Sequence, residues 1–166
     1  MKRLLSLTAA VLALAMMLAL AGCNGGDGEK KDPVQTKTVD LVALRDQMLA
    51  DNNITDSVNV DVEGLQSAYQ IDPETVANVG AFNATSGAAF PQEVVMVQAV
   101  DETAAADIAK KLEGRLSNIA EQAASYDPDS QALAEKCKVV TDGVYVGMFF
   151  SEHYDTMVSA FQTALA

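Results

Sequence analysis

Cys137 and His153 are the residues whose types could combine into a nucleophile and its base. The chain has two cysteines, Cys23 and Cys137, and a single histidine, His153. A thiol hydrolase or transferase needs an ionised cysteine, a base in direct reach and a third group that orients the base. Lys136 and Lys138 flank Cys137 and favour its thiolate, and His153 follows one short strand pair later. The structural alternative makes Cys137 a small apolar residue at a strand start and His153 a solvated residue in the first turn of the last helix. That alternative is preferred, with Cys137 and His153 kept as catalytic candidates. Zinc is disfavoured for want of nitrogen and sulfur ligands, and no other metal site is expected.

Other templates fail at identifiable positions. Asp51-Asn52-Asn53-Ile54-Thr55-Asp56 places carboxylates and amides at alternate positions, as a calcium loop does. An EF-hand requires glycine sixth and glutamate twelfth, where this chain has Asp56 and Val62. Ser86 lacks the glycines two residues before and after it that a nucleophile elbow needs; both positions are alanine. Asp127 with Asp129, and Asp61 with Glu63, are carboxylate pairs, but they stand where helices are expected to start and read as caps. The loop from Ala84 to Gln92 has an apolar tip, Gly87-Ala88-Ala89-Phe90-Pro91, suited to covering a groove, meeting a partner or packing on the domain's own helices.

Cys23 has a more specific setting. Lys2 and Arg3 precede an apolar run from Leu4 to Ala21, and Leu20-Ala21-Gly22-Cys23 closes it. A basic n-region, an apolar h-region and small residues before a cysteine form a bacterial lipoprotein signal peptide over residues 1–22, cleaved so that Cys23 becomes the lipidated first residue. A transmembrane helix is the competing reading, because the run nears the length that spans a bilayer. Small residues before the cysteine, the Gly-rich stretch after it and the lack of an adjoining basic cluster argue for lipidation. Two or more acyl chains give stable anchoring where one gives marginal binding.

Removal of residues 1–22 lowers Lys+Arg from 11 to 9 against 23 Asp+Glu, a formal charge of −14 for the remainder. Such a chain repels nucleic-acid phosphates and anionic headgroups, so no nucleic-acid partner is expected and lipid must hold the membrane. With Cys23 lipidated, Cys137 has no disulfide partner, and a core must stabilise the exported domain. No cofactor is expected beyond the covalent lipid. Residues 23–38, with Gly25, Gly26, Gly28 and a run of charges, read as a flexible tether, and residues 39–166 as one domain.

Periodicity supplies the elements that must position these residues. Leu41, Leu44 and Met48 mark a first helix, with Thr38 as N-cap; Val62, Leu65, Ala68 and Tyr69 mark a second, capped by Asp61. Val76–Ala84 and Glu93–Val100 read as strands, the latter continuous enough to be central and shielded on both faces or covered by a helix. The strongest helix runs from about Thr103 to Ser125 on the stripe Ile108, Leu112, Leu116, Ile119, Ala123, with Lys110, Lys111 and Arg115 largely outside it. Pro128 opens one further turn. Strands at Cys137–Thr141 and Val144–Phe150 are joined by Asp142-Gly143 as a type I′ turn, and Ser151 caps a last helix. This order predicts an α+β domain: a mainly antiparallel sheet of about four strands, helices on one face, and the long helix between two strand pairs.

The punctuation of this order, Ile71-Asp72-Pro73-Glu74, Tyr126-Asp127-Pro128 and Gly143-Val144-Tyr145-Val146 behind a lipobox and tether, resembles the bacterial lipoproteins grouped as domain of unknown function 4358. The likeness covers about Val39 to Phe150. Those proteins come mostly from Gram-positive anaerobes, so the resemblance implies the outer face of a single cytoplasmic membrane and transfers no catalytic or binding residue. The expectation is a lipid-anchored, extracytoplasmic envelope domain that binds a partner protein or small ligand without catalysis. The alternative is an envelope hydrolase or thiol enzyme using Cys137 and His153.

Overall fold

The structure is a computed structural model that describes residues 38–166. The expected signal peptide at 1–22, the expected lipidation at Cys23 and the expected tether as far as residue 37 lie outside the described residues. Five strands, β1 (Ser57–Val60), β2 (Val76–Ala84), β3 (Glu93–Ala99), β4 (Val140–Asp142) and β5 (Tyr145–Phe150), form one antiparallel sheet in the order β1-β2-β3-β5-β4. Among the described residues five α-helices accompany it: α1 (Leu41–Asp51), α2 (Val62–Tyr69), α3 (Glu102–Ala123), α4 (Pro128–Lys136) and α5 (Tyr154–Leu165).

The centre of the sheet is β3, and its side chains alternate between two separate cores. Val95, Val97 and Ala99 join Ile108, Leu112 and Ile119 of α3. Val94 and Met96 point the other way and join Leu41 and Met48 of α1 with Met157 and Phe161 of α5. The neighbours repeat the split: Ala81 and Phe82 on β2, Met148 and Phe149 on β5, each contribute one residue to each core. Successive side chains leave opposite faces of a strand, so a β-branched run without polar interruption must be covered twice. Burial of each large side chain, such as Phe149 against the edge of Phe161 at 5.5 Å, contributes about 1.5–3 kcal/mol. Gly80 admits α1 to this face: a Cβ there would lie 2.0 Å from the Leu41 carbonyl oxygen.

The α+β class and the antiparallel sheet agree with the sequence reading, while several details differ. Helices cover both faces rather than one, because β3 has no polar face to leave in water. A fifth strand, β1, pairs with the far half of β2 from Ser57↔Ala84 to Val60↔Ala81. Asp40, not Thr38, caps α1, its carboxylate accepting from the Ala43 amide at 2.9 Å. The turn after Pro128 extends to nine residues, so Cys137 terminates α4 and β4 begins only at Val140. Pairing of Asp142 with Tyr145 makes Gly143-Val144 the hairpin tip. Of these two only Gly143 has positive φ, at +54°, which suits glycine at the first position of a type II′ turn rather than type I′. Ser151 sits ahead of α5, where its hydroxyl accepts from the His153 amide at 3.0 Å.

Candidate functional site

Helix α3 has a cleft on each side. The first, about 230 Å³, lies between α3 and the end of α2 and is lined by Tyr69, Gln70, Lys111, Gly114, Arg115 and Asn118, with Ala68 at its edge. Residues 111, 114, 115 and 118 share one face because helical neighbours recur every three or four positions. Gln70 closes α2 in the left-handed conformation, φ 57°, and its carbonyl accepts from Lys111 Nζ at 2.6 Å, tying α2 to α3.

Behind this cleft is a charged cluster at the edge of the α3-side core. Glu93 opens β3 and is 4% exposed. A buried carboxylate requires a partner. Arg115 supplies a two-pronged one, Nε to Oε2 at 3.0 Å and Nη2 to Oε1. The Tyr69 hydroxyl donates to Glu93 Oε2 at 3.1 Å, with Asn83 Oδ1 also near at 3.3 Å. Burial raises the Tyr69 phenol far above its usual value, and the Glu93 carboxylate adds to this. Its hydrogen bond to Glu93 raises Arg115 further. No buried side-chain nitrogen or oxygen among the described residues lacks a partner, so the buried atoms of the cluster are satisfied.

The second cleft, about 390 Å³, lies between α3 and α4 over Leu116, Ala120, Ala134, Cys137 and Val139. Cys137 is 1% exposed, and its backbone amide closes α4 onto the Leu133 carbonyl. Burial raises the thiol; a backbone hydrogen bond from Ser151 and the nearby Lys136 charge oppose that only in part. A nucleophilic cysteine needs the opposite shift. His153 lies just ahead of α5 with Nε2 3.8 Å from Glu152 Oε1. No hydrogen bond or ion pair joins it to Cys137 among the described residues.

The remaining candidates fall in structural places. Asp61 and Asp127 cap α2 and α4, accepting from the amides of Gly64 and Ser130. Asn52 and Asn53 end α1, and no cluster of three His, Cys, Asp or Glu able to hold a metal occurs among the described residues. Phe90, at the tip of the 84–92 loop, stacks on Tyr126 at 5.9 Å and packs against the α3-side core. A shallow groove between α1 and α5 is lined by Leu44 and Gln47 on one side and Ser159, Ala160 and Thr163 on the other.

Sequence periodicity did not bring out Glu93, Arg115, Tyr69 or Lys111 as a site. One signal was present: an acidic residue heading a strand that is buried on both faces demands a cation from elsewhere in the chain. The only cations outside the apolar stripe of the long helix are Lys110, Lys111 and Arg115.

The pattern of the family described as Domain of unknown function (DUF4358) matches residues 50–151. No match was found among curated proteins or solved structures. The matched stretch runs from the last turn of α1 through β5, and so holds both clefts of α3 and the Glu93–Arg115 pair. The chain belongs to the DUF4358 family.

Proposed function

We propose that this DUF4358 member is a lipid-anchored, extracytoplasmic domain that binds a ligand or partner and performs no chemistry on it. The observation that carries the location is the lipobox, Leu20-Ala21-Gly22-Cys23 after a basic start and an apolar run, followed by glycines and charges before the folded body. The −14 charge of the lipidated form leaves membrane attachment to the acyl chains. Support for binding rather than catalysis comes from the chemistry of the clefts. The α3–α4 cleft has a buried thiol raised in pKa, and the α2–α3 cleft presents cationic and amide donors, its lysine amine engaged by the Gln70 carbonyl and its phenol by Glu93.

Growth of producing cells with labelled palmitate tests the anchoring. The wild-type chain is expected to carry label in the membrane fraction with Cys23 as its first residue, and Cys23→Ala to carry none. An unlabelled wild-type chain, or an N-terminus elsewhere, contradicts the proposal.

A further inference from the structure

We infer that the α2–α3 cleft is a carboxylate-binding site, with Lys111, Arg115 and Asn118 as its donors and Gly114 as its floor. The inference deepens the binding role proposed above and rests on it.

The donor inventory is the first support. Glu93 occupies Arg115 Nε and Nη2, which fixes the guanidinium plane and leaves Nη1 without a protein partner among the described residues. Arg115 keeps about a third of its side chain, 32%, exposed toward the cleft. Lys111 uses one of its three N–H groups on the Gln70 carbonyl, and the Asn118 amide adds a neutral donor one turn beyond Arg115. The two cationic donors are already held in place, Arg115 by Glu93 and Lys111 by the Gln70 carbonyl, so a ligand meets a partly ordered site.

Gly114 is the second and independent support. Glycine inside a helix destabilises it relative to alanine, and a fold keeps one there when a neighbour approaches too closely or φ must be positive. Neither applies here. A Cβ built at Gly114 meets nothing within 4 Å, and φ lies in the ordinary range. The missing side chain leaves open the space between Lys111, Arg115 and Asn118.

Charge selects the ligand class. Lys111 and Arg115 supply two positive charges and Glu93 removes one, so the site balances a single negative charge. A carboxylate matches that balance, whereas a phosphate dianion leaves a negative charge uncompensated in an acidic protein. The cleft, about 230 Å³, has room for an amino acid or the carboxyl end of a short peptide.

The test is calorimetric titration of the full-length chain in nonionic detergent micelles with sodium acetate, N-acetylglycine and inorganic phosphate at constant ionic strength. The two carboxylates are expected to bind saturably at one site and more tightly than phosphate. Lys111→Gln and Gly114→Ala are each expected to weaken carboxylate binding about ten-fold. Gly114→Ala should at the same time raise the unfolding midpoint, which separates a filled site from a damaged fold. Absence of saturable carboxylate binding, tighter binding of phosphate, or unchanged affinity in both variants overturns the inference. Cys23→Ala protein is expected to bind acetate as wild type does, so failure of the anchoring proposal and failure of this one remain distinct.

Discussion

Helix α3 offers two clefts that differ in what stands behind them. On the α4 side Leu116, Ala120, Ala134 and Val139 line the cleft together with Glu113, Glu135 and Lys138, and its cysteine, Cys137, is buried with its thiol raised in pKa. On the α2 side the lining is cationic and amide-rich, and the buried Glu93 carboxylate at the edge of the core holds its central guanidinium. A conspicuous residue type marks the first cleft and a conspicuous arrangement marks the second. Reactivity depends on environment, so the arrangement is the better guide to function.

The largest expected effect breaks the second cleft from behind. Arg115→Met leaves the Glu93 carboxylate buried without its cation, and removal of one partner of a buried pair costs about 3–5 kcal/mol. Partial exposure of Arg115 places the loss near the lower end, about 3 kcal/mol by urea denaturation. The double variant Glu93→Leu with Arg115→Met should recover most of it. A loss below about 0.5 kcal/mol in the single variant, within the range of ordinary surface substitutions, would mean the pair has no role in holding the cleft.

Tyr69 gives the next effect, with a pH signature. Its folded pKa lies above the unfolded value of 10.0, so its stabilisation is complete below pH 10. As pH rises past 10 the unfolded chain loses the phenol proton first, and stability falls. Tyr69→Phe should cost about 1 kcal/mol at neutral pH, the usual size of one hydrogen bond. It should also flatten the decline between about pH 10 and 11.5. An unchanged alkaline slope contradicts the hydrogen-bonded cluster.

An effect of similar size, without a pH signature, belongs to the first cleft. Cys137→Ala removes one buried sulfur and should cost about 1 kcal/mol through the small cavity left. A disulfide reagent should modify Cys137 at neutral pH far more slowly in the folded chain than in urea. Equal rates would restore Cys137 as a reactive group and reverse the comparison.

How much of this was legible in the sequence follows from the range of each interaction. Local signals were readable: Asp61 and Asp127 as caps, Pro128 opening a helix, and Val94 to Val97 as a central strand all depend on residues a few positions apart. Strand β1 escaped because Ser-Val-Asn-Val is a short edge strand with Val58 exposed, too brief to show an alternation. Glu93 and Arg115 escaped because 22 residues separate them, and only the crossing of α3 over the sheet brings them together. Tyr69 read as one more apolar position of α2, although its hydroxyl reaches the same carboxylate from 24 residues away.

The central claim, that the α2 side of α3 is the binding side, is tested most directly by mapping amide and Arg Nε shifts of the isotope-labelled full-length chain in micelles during titration with acetate. Saturating shifts at Gln70, Lys111, Gly114, Arg115 and Asn118, with Ala134 to Val139 unmoved, are the predicted result. Shifts centred on Cys137 and its neighbours, or none that saturate, would contradict it.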